Sequence, residues 1–188
     1  MKEKDEYDKV IISKRKNKDG HGIILKRKIS NIEVIKDAGY YTNKSSYDVF
    51  LENEVPVGSI YATVCNYKEG DTAEIEYVAD EKHRNKGNIG IALTEVLRDV
   101  FLSQSLDGFQ IRPGGSISKI EKVFLSINSD NYPSMAVARK NSFIKSENHR
   151  NIFTITKEDF LKSLKTENNK SSQGVSAKTT PCDRDGLE

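Results

Sequence analysis

Between Asn88 and Ser103 the apolar residues fall at Ile89, Ala92, Leu93, Val96, Leu97, Val100 and Phe101, with Glu95, Arg98 and Asp99 on the other side. That spacing follows a 3.6-residue period and predicts an amphipathic helix with one face on a core. Elsewhere the period shortens to two. Val123, Leu125 and Ile127 alternate within Lys122 to Asn128, the pattern of a buried strand. Val10 to Lys16 and Gly22 to Lys28 flank the turn-forming Asn17-Lys18-Asp19-Gly20, which predicts a hairpin. Tyr47 to Glu52 and Pro56 to Asn66, separated by Asn53-Glu54, predict a second one. Gly70-Asp71 is a turn, and Ala73 to Asp80 reads as the next strand.

The remaining elements are shorter. Residues 29–40 fit a short helix or a strand. Residues 105–120, with Arg112-Pro113-Gly114-Gly115-Ser116, form a long connection. Pro133 suits the first turn of a helix running to about Asn141. Short strands are expected near Phe143 to Ser146 and Asn151 to Thr156. A last helix, Lys157 to Leu164, begins at a Thr156-x-x-Asp159 capping box. The stretch from 73 to 128 is a β–α–β unit, so its strands should be parallel with a right-handed connection. The whole predicts an α/β or α+β sheet with helices on its faces, and no internal repeat.

At 188 residues, 36% hydrophobic and 31% charged, the chain has apolar material for one core and not for two. A charged segment with a hairpin occupies 1–28, either part of the main domain or appended to it, and the domain runs over 29–164. Residues 165–188 have few apolar positions and no period, so they are expected to be a disordered tail. No aliphatic run is long enough to span a bilayer. The leading MKEKDEYDK lacks the apolar stretch of a secretory signal, so the expected address is the cytoplasm.

Charge narrows the partners only slightly. The net value is +2, too balanced to argue for nucleic acid or membrane. Residues 1–28 carry ten Lys/Arg against five Asp/Glu, so the excess is local and reads first as a solvated surface. The two cysteines, Cys65 and Cys182, have no partner at metal spacing, which speaks against zinc and against a disulfide framework. Cys65 reads as a small core residue and Cys182 as an exposed one. No metal site is expected. His21, His83 and His149 are scattered and carry no assigned chemistry; His83 reads as an exposed loop residue.

The informative run is His83-Arg84-Asn85-Lys86-Gly87-Asn88-Ile89-Gly90, after a strand and at a helix start. Glycines allow close backbone approach, and the first helical N–H groups have no internal partner. The helix dipole adds partial positive charge, and Arg84 and Lys86 add full charges. This is an anion pocket suited to a phosphorylated cofactor. It is neither GxxxxGK[ST] nor GxGxxG, so a P-loop nucleotidase is excluded and a dinucleotide fold poorly supported.

A second run, Ser126-Ile127-Asn128-Ser129-Asp130-Asn131-Tyr132-Pro133-Ser134, leads into Met135-Ala136-Val137-Ala138-Arg139-Lys140-Asn141-Ser142-Phe143. Taken with EIEYVADEKHRNKGNIGIAL, it resembles the GNAT superfamily of acyl-CoA N-acyltransferases over roughly residues 47–156. The matching positions are Arg84-x-x-Gly87-x-Ile89, then Asn131, Ser134, Lys140 and Phe143. The resemblance implies a mixed twisted α/β sheet with splayed central parallel strands flanked by helices, here with an extra N-terminal β-hairpin. It implies acetyl-CoA, or another acyl-CoA, as co-substrate, with its pyrophosphate on the N–H groups of Asn85, Lys86, Gly87, Asn88, Ile89 and Gly90. The pantetheine arm would lie in the splay against Val78 and Ala79, with Asn131 and Ser134 on the far side.

The sequence departs from the family at three places. Ile89 replaces Gly or Ala and would crowd the pyrophosphate loop. Ser142 replaces the glycine before Phe143. Ala138 stands where many relatives carry the tyrosine that protonates the leaving thiolate, and Tyr132 is the nearby substitute. The implied reaction is direct acyl transfer from thioester to a primary amine in a ternary complex. Glu76 and then Glu74 are the candidate bases, on one face of their strand, and a backbone N–H near Ala79 would hold the oxyanion. The acceptor, a small-molecule or protein amine, is not legible, nor is the choice between monomer and homodimer. A non-enzymatic CoA-binding or sensing member of the fold stands as an alternative. So does a nucleic-acid or partner-binding module using Lys14-Arg15-Lys16 and Lys26-Arg27-Lys28, although it lacks the aromatic interleaving of a single-strand binder.

Overall fold

The structure, a computed structural model, describes residues 7–29, 33–35, 40–67, 70–102 and 120–173. Among them are nine strands: β1 (Lys9–Lys16), β2 (Gly22–Ile29), β3 (Glu33–Ile35), β4 (Tyr40–Leu51), β5 (Pro56–Tyr67), β6 (Gly70–Ala79), β7 (Lys122–Ser126), β8 (Ile144–Lys145) and β9 (Ile152–Thr156). Helices α1 (Asn88–Leu102), α2 (Tyr132–Lys140) and α3 (Lys157–Gln173) complete them. The strands form one mixed sheet in the order β1-β2-β4-β5-β6-β7-β9-β8, with β3 paired to β4. Residues 33–35, inside the stretch that fitted helix or strand equally, are therefore strand. The β1–β2 hairpin is not appended, since β2 pairs with β4 along its length.

Period-two alternation assigns one face of this sheet to the core. Leu25 pairs with Val49, Tyr47 with Ile60, Ala62 with Ile75, Ala73 with Val123 and Val123 with Ile155, all buried. The apolar stripe of α1, from Ala92 to Phe101, joins the same cluster, and the helix lies against β1, β2, β4 and β5. Each fully buried Leu or Val of that stripe contributes about 1.5–3 kcal/mol by leaving water. Phe101 meets Phe160 of α3 with ring centroids 5.6 Å apart.

Two sequence expectations need correction at their edges. The last helix does not stop at Leu164; it continues to Gln173, so residues 165–173 are helical and not part of a disordered tail. Once Thr156 has capped the first turn, accepting from Asp159 N–H at 3.1 Å, each further residue adds a hydrogen bond without a new nucleation cost. The strand expected to reach Asn128 ends at Ser126. Residues 174–188, with Cys182, lie outside the described residues, as do the Arg112–Ser116 run and the side chain of Cys65.

Gly58 of β5 sets the spacing at the sheet centre. A Cβ there would meet the Val78 carbonyl oxygen at 2.3 Å and Ile89 Cδ1 at 2.8 Å, with φ at +155°. Only glycine lets β5, β6 and the start of α1 approach this closely.

Candidate functional site

The parallel pair β6–β7 is joined for three residues only. Thr72 faces Lys122, Ala73 faces Val123 and Glu74 faces Phe124; beyond that point the two strands part. On its other side β6 stays paired to β5 through Ala79, opposite Gly58. The edge of β6 from residue 75 to 79 thus faces a gap with backbone N–H and C=O groups not used by β7. Such groups need a partner, and an amide-bearing chain laid in the gap would supply one.

The loop 84–90 lies at the head of this gap, directly after β6. Asp80 caps the single 3-10 turn Glu81–His83, its side chain accepting from Lys82 N–H at 2.9 Å. The chain then alternates hand, with φ +62° at Asn85 and +88° at Gly87. Alternation of hand between neighbouring residues is the backbone pattern of the nests that take up anions elsewhere. Among the described residues the N–H groups of Asn85, Lys86 and Gly87 donate to no backbone carbonyl. Arg84 is exposed and lies 3.5 Å from Glu81. Lys86 is held by Asp19 at 2.8 Å, a hydrogen bond that keeps the Asp19 carboxyl below its usual range.

Ile89 does not crowd this loop. Its side chain is buried, and its Cδ1 fills the hollow over Gly58. Gly90 is next to Asn141, whose Oδ1 accepts from Thr94 Oγ1 at 2.8 Å, so α1 and α2 are tied together just below the loop. Ser142, at the family's glycine position, adopts φ +64°, the left-handed conformation glycine would take without cost.

The loop is also braced from the N-terminal hairpin. Lys18 N–H donates to the Lys86 carbonyl at 3.1 Å, and Asn17 Nδ2 donates to Asn88 Oδ1 at 2.8 Å. Asn88 is buried and its own amide reaches the His83 carbonyl at 3.3 Å. His83 is not the exposed residue expected: it is half-buried, and its Nδ1 is sealed from solvent with no hydrogen-bond partner among the described residues.

Across the gap, Asn131 caps α2 by accepting from Ser134 N–H at 3.2 Å. Tyr132, expected near the chemistry, is 72% exposed at the first helical position. Tyr77 was not among the expected residues, yet it links the two sides: its hydroxyl donates to the Ser134 carbonyl at 3.1 Å. Burial raises this phenol above its usual range, and the Ser134 side chain partly offsets that. The signal was present in the sequence. Positions 73, 75, 77 and 79 point to the core face, and a hydroxyl-tipped residue among Ala73, Ile75 and Ala79 needs a polar partner.

Glu74, Glu76 and Val78 project from the opposite face of β6. Glu76 is exposed beside Tyr61 on β5, Glu74 is half-buried beside Thr63, and Val78 is 62% exposed beside Ser59. Burial, and then the charge of Glu76, raises the Glu74 carboxyl above its usual range. Glu74 therefore binds a proton more readily than a solvated carboxylate.

Part of the basic N-terminal segment is committed within the molecule. Arg27 is buried between Asp8 and Asp99, Lys9 pairs with Asp99, Lys26 lies 3.0 Å from Glu54, and Lys28 lies 3.9 Å from Asp48. A cavity of about 260 Å³ lies beside this network, lined by Lys9, Ile11, Glu95, Arg98, Asp99 and Leu102. No described residues group into a metal site, and no described helix is long and apolar enough to cross a membrane.

A solved structure described as apo FdhC, a nucleotide-linked sugar GNAT, superposes with a TM-score of 0.51 at 10% identity, covering 66% of this chain and 64% of that one. The chain has the GNAT fold. An acetyltransferase of the GNAT family from Bacillus anthracis matches at TM-score 0.45 and 21% identity, over 60% of this chain and 66% of that chain. A dodecameric spermidine N-acetyltransferase from Vibrio cholerae matches at TM-score 0.49 and 13% identity, over 64% and 68%. The chain thus spans just under two thirds of the FdhC and Bacillus anthracis proteins. No model of a known family matches it, and neither does any curated protein. The GNAT fold accounts for the mixed sheet, the parted parallel strands and the helix that starts at their mouth.

Proposed function

We propose that this chain is an N-acetyltransferase that moves an acetyl group from acetyl-CoA to a primary amine by direct transfer. The observation that carries the reading is the gap between β6 and β7 opening beside the 84–90 loop. The loop amides of Asn85 to Gly90, with Arg84 and Lys86, would hold the diphosphate. The free edge of β6 at Val78 and Ala79 would take up the amides of the pantetheine arm, with Asn131 and Ser134 opposite. An N–H at the Ala79 end of β6 would receive the oxyanion of the tetrahedral intermediate.

On the other face of β6, Glu76 would accept the proton of the attacking amine, directly or through water, with Glu74 as second candidate. The amine must be neutral to attack, and a carboxylate pair also favours the approach of its ammonium form. A small-molecule amine and a protein amine are both compatible with this geometry.

The test is acetyl-CoA-dependent thermal stabilisation. Millimolar acetyl-CoA should raise the melting temperature of the wild-type protein, and the double variant Arg84→Glu, Gly87→Asp should lose the shift. A wild-type protein indifferent to acetyl-CoA and to CoA would overturn the assignment. A non-catalytic CoA-binding role is favoured by one observation, the buried Ala138 at the family's tyrosine position. Release of free thiol on adding a panel of amines separates the two.

A further inference from the structure

We propose that the Tyr77 hydroxyl, and not Tyr132 on α2, delivers the proton to the departing sulfur; this rests on the acetyl-CoA reading above. Three placements carry it. Tyr77 lies on β6 three residues beyond Glu74, the last residue paired to β7, so its backbone borders the gap. Its side chain projects to the helix-covered face with Ile75, and its hydroxyl crosses to the first turn of α2, 3.1 Å from the Ser134 carbonyl. The thioester end of a donor lying along β6 beside Val78 would therefore pass next to this phenol. Tyr132, in contrast, is 72% exposed. Glu74 and Glu76 stand on the opposite face of the strand, on the side assigned to the amine.

The geometry separates acid from base. The amine nitrogen forms its bond to the acetyl carbon and yields a proton on the Glu76 side. The carbon–sulfur bond breaks with its electron pair going to sulfur. The phenolic proton passes to sulfur, giving the free thiol of CoA and a Tyr77 phenolate. The phenolate regains a proton from solvent, equal in number to the one lost by the amine. No further reactant is needed. In the resting protein the Ser134 carbonyl holds the hydroxyl hydrogen, so donation to sulfur requires only rotation about the C–O bond.

A binding measurement tests this without knowledge of the acceptor. Affinities of CoA and acetyl-CoA are measured by calorimetry from pH 6.5 to 9 for wild type and Tyr77→Phe, and their ratio removes every titration the two ligands share. A phenol that donates to sulfur stabilises the thiolate, so the CoA to acetyl-CoA affinity ratio of the wild type should rise with pH. The rise is about tenfold for each unit by which the bound thiol falls below its free value. Tyr77→Phe should flatten the ratio while still binding acetyl-CoA. A flat wild-type ratio, or an equal rise in Tyr77→Phe, overturns the proposal and leaves the cofactor reading standing. Equal weakening of both ligands at every pH would make Tyr77 a strut and also overturns it. Absence of acetyl-CoA binding in the wild type would remove the cofactor reading and this proposal together.

Discussion

Asn17 and Asn88 are joined side chain to side chain at 2.8 Å, although one lies in a surface hairpin turn and the other begins α1. Both are buried. Asn17 Oδ1 also accepts from Asp19 N–H at 3.0 Å and His21 N–H at 2.8 Å, so one amide shapes the turn and fixes the helix start. Asn17→Ala leaves Asn88 Oδ1 short of a donor in the interior and should cost about 1–3 kcal/mol. Acetyl-CoA affinity should fall with it, because the 84–90 loop loses a brace. Denaturant unfolding and a ligand titration read the two effects. Unchanged affinity in the folded variant would show that the hairpin does not support the loop.

Ser142 holds φ +64° at the end of α2, where the Phe143 N–H reaches back to the Ala138 carbonyl at 3.0 Å. A side chain in this conformation costs about 1–2 kcal/mol relative to glycine. Ser142→Gly should therefore raise stability by up to about 1 kcal/mol, after the entropy that glycine adds to the unfolded chain is subtracted. A melting temperature that falls would mean the Ser142 hydroxyl does more than its backbone shows.

Gly58→Ala should act in the opposite direction. Its Cβ would stand 2.3 Å from the Val78 carbonyl oxygen, which is backbone and cannot swing aside. The strands must move, at about 1–3 kcal/mol, and a chain of this length loses roughly 2–4 °C per kcal/mol. Val78 borders the gap, so acetyl-CoA stabilisation should weaken beyond the loss of stability alone.

Asp99 is sealed beneath the hairpin, with Arg27 Nη1 at 2.9 Å, the Tyr47 hydroxyl at 3.0 Å and Lys9 also in contact. Burial would push its carboxyl up, but the hydrogen bond from Lys9 and the charge of Arg27 overcome this and hold it below the usual value. A carboxylate lowered on folding stabilises the protein above its unfolded value of about 3.9, and the contribution is lost as pH falls through the folded value. Asp99→Asn should cost about 3–5 kcal/mol at neutral pH, because Arg27 is left buried with one partner fewer. The variant should also show a shallower loss of stability below about pH 4.

Glu74 titrates high because of its burial and because of Glu76. Removing the neighbouring charge with Glu76→Gln should move the Glu74 carboxyl down, and carboxyl-carbon NMR follows it directly. With Glu76 as the base, the same variant should flatten the rise of rate with pH. A rate profile that merely moves to lower pH would transfer the role to Glu74.

What could be read from the sequence was whatever a local period or a local turn encodes. The α1 stripe and the Asn17–Gly20 turn emerged with nearly the boundaries observed. The parallel relation of β6 and β7 followed from the helix between them. The length of their pairing did not, because register depends on partners far apart in the chain. Tyr77 was passed over for a related reason: its meaning comes from Ser134, 57 positions away. The end of α3 was hidden because Lys165–Gln173 has no apolar stripe to reveal a helical period. Ile89 looked like an obstruction while Gly58, the residue that receives it, lay two strands earlier.

A sheet whose middle rung-set stops after Glu74 behaves as two leaves of a book stitched at one end of the spine. One leaf carries β1 to β6 with α1, the other β7 to β9 with α2 and α3. Whatever lies between the pages glues them, so a bound donor should slow amide exchange along the β6 edge at residues 75–79, and its departure should leave that page edge free to solvent.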